Sequence, residues 1–102
     1  MTLKYILNSK GNPVAELNLH RWAEWFENAE RSVADEKIGD SRISTVFLGL
    51  DHNFSGQGGP VLWETMIFGG PLDRKQERCA GSREQAEAMH ARMVQRVKEA
   101  QA

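Results

Sequence analysis

The chain is nearly without cysteine: Cys79 stands alone among 102 residues. A single thiol excludes an internal disulfide and fits a reducing compartment. Long apolar runs are missing as well. None approaches the roughly 20 residues a membrane span requires, and the opening residues MTLKYILN carry neither an apolar core nor a small-residue cleavage site, so no signal peptide is read. Thirteen basic against fourteen acidic residues leave a net charge of −1. No overall basic field therefore draws the chain to nucleic acid or to an anionic membrane. HExxH, paired CxxC and GxxxxGK[ST] patterns are all absent, which removes the usual signatures of zinc hydrolases, zinc ribbons and phosphate loops. Repeats and low-complexity linkers are absent too. What remains is one domain, residues 1–102, 40% apolar and 26% charged. It is large enough for a modest single core and is placed by default in the cytosol.

The stretch that is present in force is Ser44–Gly70, STVFLGLDHNFSGQGGPVLWETMIFGG. Two runs dense in Val, Phe, Leu, Ile, Met and Trp flank a polar, glycine-rich segment, the pattern of a β-hairpin with a long loop. Strands are expected at Arg42–Leu50 and Val61–Phe68. In the first, Ile43 and Phe47 point one way and Val46, Leu48 and Leu50 the other. In the second, Trp63 and Ile67 oppose Leu62, Met66 and Phe68. Apolar residues on both faces mark interior strands with both sides at least partly covered.

Around this hairpin the remaining elements fall into place. Leu3–Asn8 and Val14–Leu17 read as short strands about the turn Ser9–Pro13. Asn18 caps a helix that runs to about Arg31, with Leu19, Trp22, Ala23, Trp25, Phe26 and Ala29 on one arc and Glu27 set to pair with Arg31. Val33–Ile38 pairs with Arg42–Leu50 across Gly39-Asp40-Ser41. A short edge strand ends near Cys79. Ser82 and Gln85 have capping-box spacing and open a helix to about Glu99, whose buried stripe is Ala86, Met89, Met93, Val94, Val97 and Ala100. The expected fold is α+β: a two-layer domain in which an antiparallel three- to five-stranded sheet is packed by two helices. If both helices share one face, the other keeps apolar residues to cover, and a homodimer through that face is an open expectation.

The segment Asp51–Pro60 exceeds the two to five residues usual in hairpin loops. Asp51, His52 and Asn53 set a carboxylate, an imidazole and an amide side by side. Gly56, Gly58 and Gly59 let a backbone approach a ligand. One reading is a binding loop in which His52 serves as general base or metal ligand. The other is that Asp51 and Asn53 bond their own backbone and merely shape the loop. Phe54 and Trp63 are aromatic anchors for a contact surface. Glu64 sits mid-strand beside Leu62, Met66 and Phe68, where a carboxylate needs a partner such as Arg42 or Arg78, or an edge open to water. His90, inside the apolar arc of the last helix, reads as a core residue with one hydrogen bond. His20 with Glu24 reads as an exposed pair, and Cys79 has no base nearby in sequence. Arg74, Lys75 and Arg78 alternate with Asp73 and Glu77, as in a solvated segment.

Trp22–Glu27 (WAEWFE), Gly39-Asp40, STVFLGLDHN, GP-x-LWETM-x-FGG from Gly59 and EQAEAMHARMV together resemble a group of small uncharacterised proteins encoded by tailed phages and prophages. The resemblance implies a phage or prophage setting and a bacterial cytoplasm, and supplies no enzyme class and no catalytic residue. The expectation built on it is a non-enzymatic accessory protein that binds a bacterial host protein or complex stoichiometrically, inhibiting defence or metabolism. Asp51, His52, Asn53, Phe54, Trp63 and Glu64 would carry the contacts, with no cofactor, metal, membrane or nucleic acid involved. Two alternatives stand beside it: a small metal-dependent hydrolase centred on Asp51, His52 and Glu64, and a protein that sequesters a nucleotide-like ligand in the glycine-rich loop.

Overall fold

The computed structural model describes residues 3–102. In chain order its elements are β1 (Tyr5–Leu7), β2 (Pro13–Ala15), α1 (Leu19–Asn28), β3 (Ser32–Ile38), β4 (Ser41–Phe47), β5 (Val61–Phe68), β6 (Gln76–Ala80) and α2 (Arg83–Gln101). The fold is α+β. β1 and β2 make a two-stranded sheet, and β3-β4-β5-β6 form a four-stranded antiparallel meander in which each strand pairs with its neighbour in sequence. The β3–β4 connection is a two-residue turn between Ile38 and Ser41. Gly39 takes φ 58° there, the left-handed geometry that the tightest hairpins require and that glycine adopts without steric cost.

Alternation along β4 and β5 decides the core. Ile43 faces Ile67, Thr45 faces Thr65 and Phe47 faces Trp63 across the strand pair, and all six side chains are fully buried. α2 lies over this face and touches all four strands. Its start is fixed by Ser82 and Gln85, which exchange both capping-box bonds, and its buried residues are Ala86, Met89, His90, Met93, Val94 and Val97. They recur at helical spacing, as expected; Ala100, placed in the same stripe by periodicity, is exposed instead. Two apolar clusters result. Ile43, Ile67, Met93, Val94 and Val97 form one, and Phe47, Leu62, Trp63, Ala86 and Met89 the other. Each large side chain so buried contributes about 1.5–3 kcal/mol relative to exposure.

Between the clusters runs a polar layer. Thr65 Oγ1 lies 2.6 Å from Thr45 Oγ1, which lies 2.7 Å from His90 Nδ1, while His90 Nε2 is 3.0 Å from Glu36 Oε1. His90 is thus a core residue with two hydrogen bonds rather than one. An ionised Glu36 only accepts, so Nε2 carries a hydrogen. With a neutral ring, Nδ1 then accepts from Thr45, which accepts from Thr65, and every donor in the chain is used.

Two local departures from sequence pattern have physical causes. Leu62, which strict alternation puts beside Met66 and Phe68, is 2% exposed and belongs to the second cluster. The β5–β6 register shifts between Val61 and Trp63, and such a bulge changes the direction of the residue it contains. α1 ends at Asn28, so Arg31 does not pair with Glu27. Its guanidinium lies 3.9 Å from the centre of the Phe26 ring and donates to the Phe47 carbonyl. α1 itself buries no residue completely. It docks through Trp22, Trp25 and Phe26, as its amphipathic pattern predicts, but at the end of the sheet beside β1 rather than across the strands.

Candidate functional site

The long connection between β4 and β5 has a fixed base and a projecting tip. Leu48 N donates to Leu62 O and His52 N to Val61 O, so the strand pairing continues beyond Phe47. On the other side Tyr5 N donates to Gly49 O and Asp51 N to Leu3 O. Residues 48–52 are thereby wedged between the N-terminal segment and β5. Gly49 has φ +75°, and a Cβ there would stand 3.0 Å from the Phe26 ring; Trp22 Nε1 donates to its carbonyl at 3.0 Å.

Asp51 and Asn53 do structural work. Asp51 Oδ1 accepts from Asn53 N at 2.8 Å and from Val61 N at 2.9 Å, closing the base of the loop. Asn53 Nδ2 donates to Gln57 O and Gly59 O, and its Oδ1 accepts from the amide and hydroxyl of Ser55. Both amide hydrogens and both carbonyl lone pairs of Asn53 are therefore engaged inside the loop. His52 Nδ1 lies 2.8 Å from Leu50 O. A carbonyl only accepts, so Nδ1 carries the hydrogen, and in the neutral ring Nε2 keeps its lone pair. The ring sits 5.9 Å from that of Phe54, centre to centre, and Phe54 is 77% exposed.

Trp63 and Glu64 belong elsewhere. Trp63, expected at the contact surface, is completely buried beneath α2 and donates its Nε1 hydrogen to Gly81 O at 2.9 Å. Its face, shared with Ile67, is the covered face of the sheet. Glu64 points to the opposite face and accepts from Arg78 Nε at 2.7 Å, the pairing partner that its strand position called for. Glu64 is registered with Val46 on β4, three residues beyond Val61, so at ~3.3 Å per residue it stands about 10 Å along the strand from the loop base. Asp51, His52 and Glu64 are thus not brought together. Among the described residues no group of three His, Cys, Asp or Glu side chains is placed to share a metal ion.

Two other places have the look of chemistry. Thr45, His90 and Glu36 stand in the hydroxyl–imidazole–carboxylate order of nucleophilic triads, but Thr45 is fully buried under α2, and no substrate reaches a hydroxyl there. An open groove of about 460 Å³ lies between the β1–β2 turn and the start of α2, lined by Lys10, Asn12, Ser82, Arg83, Glu84 and Glu87. Ser82 is spent on the helix cap and Arg83 faces Glu87 at 3.4 Å.

The electrostatics of the rest are those of structural pairs. Hydrogen bonds from Arg42 hold the Asp35 carboxyl below the usual carboxylate range and push the Arg42 guanidinium up. Burial raises the Cys79 thiol, the opposite of what a nucleophilic thiolate needs. The sequence pattern extends the two short strands to Leu3 and Leu17, which instead lie outside β1 and β2. Leu3, 44% exposed, is tied to the loop base through Asp51, and Leu17 is 86% exposed just before the α1 cap. Nothing in sequence links residue 3 to residue 51. Comparison of the chain with protein-family models, with curated proteins and with solved structures finds no match.

Proposed function

We propose that this chain is a non-catalytic binding protein that acts by stoichiometric contact with a bacterial host protein, through the tip of the Asp51–Pro60 loop. The observation that carries the reading is Phe54, an aromatic side chain 77% exposed on a loop that its own hydrogen bonds hold in one shape. A pre-shaped loop loses little conformational entropy on binding, and aromatic side chains at such positions are typical contact anchors. The His52 ring lies beside it, tilted by 51°, and the apolar Leu3 adjoins the loop base. Asp51 and Asn53 act here as supports rather than as contacts, while Trp63 and Glu64 take no part.

The phage setting, the bacterial cytoplasm and an inhibitory effect on host defence or metabolism rest on the sequence resemblance. The test is affinity capture from bacterial lysate with wild-type protein, Phe54→Ala, His52→Ala and, as a control on the far side of α2, Glu87→Gln. A specific partner should be retained by Glu87→Gln and reduced at least tenfold by Phe54→Ala. If neither loop variant loses it, the assignment fails.

A further inference from the structure

Among the described residues, the groups that complete the apolar clusters on the four-stranded sheet all lie on one side of it. α2 crosses it, and Tyr5, Leu7 and Trp25 join the cluster of Phe47, Trp63 and Met89 on that same side. The molecule measures only 21 Å along its shortest axis, the thickness of two layers. On the opposite face Val46 and Met66 are half-buried and Phe68 is 46% exposed. Two arginines lie across this face: Arg42, bonded to Asp35 and 5.6 Å from the Phe68 ring, and Arg78, bonded to Glu64.

We propose that this uncovered face docks against the same face of a second copy, sheet on sheet, about a two-fold axis. Three observations support that occupant. The first is charge. Asp35 and Glu64 are each paired within the chain, by Arg42 Nη2 at 2.6 Å and by Arg78 Nε at 2.7 Å. The face can therefore lose water without stranding a carboxylate, the condition under which buried charges are tolerated. Lys37 lies on the outer strand β3, where its long stem lets the ammonium stay in solvent.

The second is area. Four strands spaced about 4.8 Å apart and about seven residues long at ~3.3 Å each give a face of roughly 19 by 23 Å. With side-chain relief that is about 650 Å² of accessible surface per copy, or about 1,300 Å² for a pair, within the range of stable interfaces. The third is composition: beside the polar Asp35, Lys37, Ser44, Glu64 and Gln76, the face carries Met66, Phe68, Arg42 and Arg78, residue types enriched at interface cores. In a two-fold arrangement Val46 and Met66 meet their own counterparts, at the sheet separation of about 10 Å usual in sandwiches. The inference does not depend on the loop reading, since the two surfaces are distinct.

The experiment is sedimentation velocity and light scattering from 1 to 500 µM. The mass should rise from 11.5 kDa to twice that value. The double variant Met66→Lys, Phe68→Lys should weaken association at least tenfold while keeping its circular dichroism spectrum and a cooperative unfolding transition, with a lower melting temperature because the stabilisation by association is lost. Independently of any disruption, Ser44→Cys in a Cys79→Ser background should cross-link to itself with a short bismaleimide, whereas Glu87→Cys, on the outer side of α2, should not. A wild-type monomer at 500 µM overturns the proposal, as does a dimer that the double variant leaves intact, or cross-linking at 87 and not at 44. A chain that stays monomeric and instead captures a different protein through Phe68 overturns it too.

Discussion

Replacing Thr45 by Val keeps the shape of the side chain and removes one oxygen, and that oxygen is the middle of the polar layer. Thr45 Oγ1 bonds Thr65 Oγ1 at 2.6 Å and His90 Nδ1 at 2.7 Å. Both partners are buried, Thr65 completely and His90 to 4% exposure. The substitution strands a hydroxyl and a ring nitrogen, each costing about 1–3 kcal/mol without a partner. A loss of roughly 2–4 kcal/mol is expected for Thr45→Val. For a domain of this size that lowers the melting temperature by roughly 10–25 °C. The triple variant Thr45→Val, Thr65→Val, His90→Leu removes all three buried partners together, and Glu36, half exposed, returns to water. Its stability should lie within about 1 kcal/mol of wild type, because deleting a whole buried network is far cheaper than deleting one member. Urea titration followed by tryptophan fluorescence measures both, with unchanged slope expected. Thr45→Val within ~0.5 kcal/mol of wild type, or a triple variant no more stable than the single, would refute the reasoning.

Arg78→Ala leaves Glu64, whose side chain is 16% exposed, without its cation and should cost about 1–2 kcal/mol, whereas Glu64→Gln should cost less; equal losses in denaturant titration contradict the pairing. Because Arg42 lowers Asp35 below the ordinary carboxylate range, the pair stabilises the fold fully above that range and the contribution is lost as pH falls through the lowered value. The urea midpoints of wild type and Asp35→Asn should therefore differ at neutral pH and converge in acid, by a small amount since both groups are exposed. A gap that does not change with pH refutes this. Burial raises the Cys79 thiol, so its alkylation by iodoacetamide at pH 8 should be several-fold slower than that of glutathione and should reach the free rate in urea. Arg74 holds φ 71° at the β5–β6 turn. Arg74→Gly should stabilise by ~0.5–1 kcal/mol, and a lower melting temperature would show that the arginine side chain repays its strained backbone.

Much of this architecture was legible in the sequence because local chemistry and tertiary packing agree. Asn18 and Ser82 cap the helices they precede, Gly39-Asp40 makes the turn, and β5 spans the residues its apolar run outlined. Trp63 shows where legibility stops. Alternation correctly grouped it with Ile67, but sequence does not say which face of a sheet a helix will cover, so a core tryptophan passed for a surface anchor. His90 has the same lesson at longer range, its partners lying 45 and 54 residues away. In the loop, the residue types that suggested chemistry are the ones that bond a backbone, and only the exposure of Phe54 separates support from contact.

The reach of α2 across all four strands has a consequence for how the chain acquires its structure. The meander β3-β4-β5-β6 joins only sequence neighbours, so its pairings close over short distances and form early on topological grounds. Neither apolar cluster is sealed until α2 arrives, and the helix supplies members of both at once. A sheet lacking α2 would present Phe47, Trp63, Ile43 and Ile67 to water together. Opening of the helix and exchange of the amides in β4 and β5 should therefore occur as one cooperative event, with the β1–β2 hairpin and α1 free to open at lower cost.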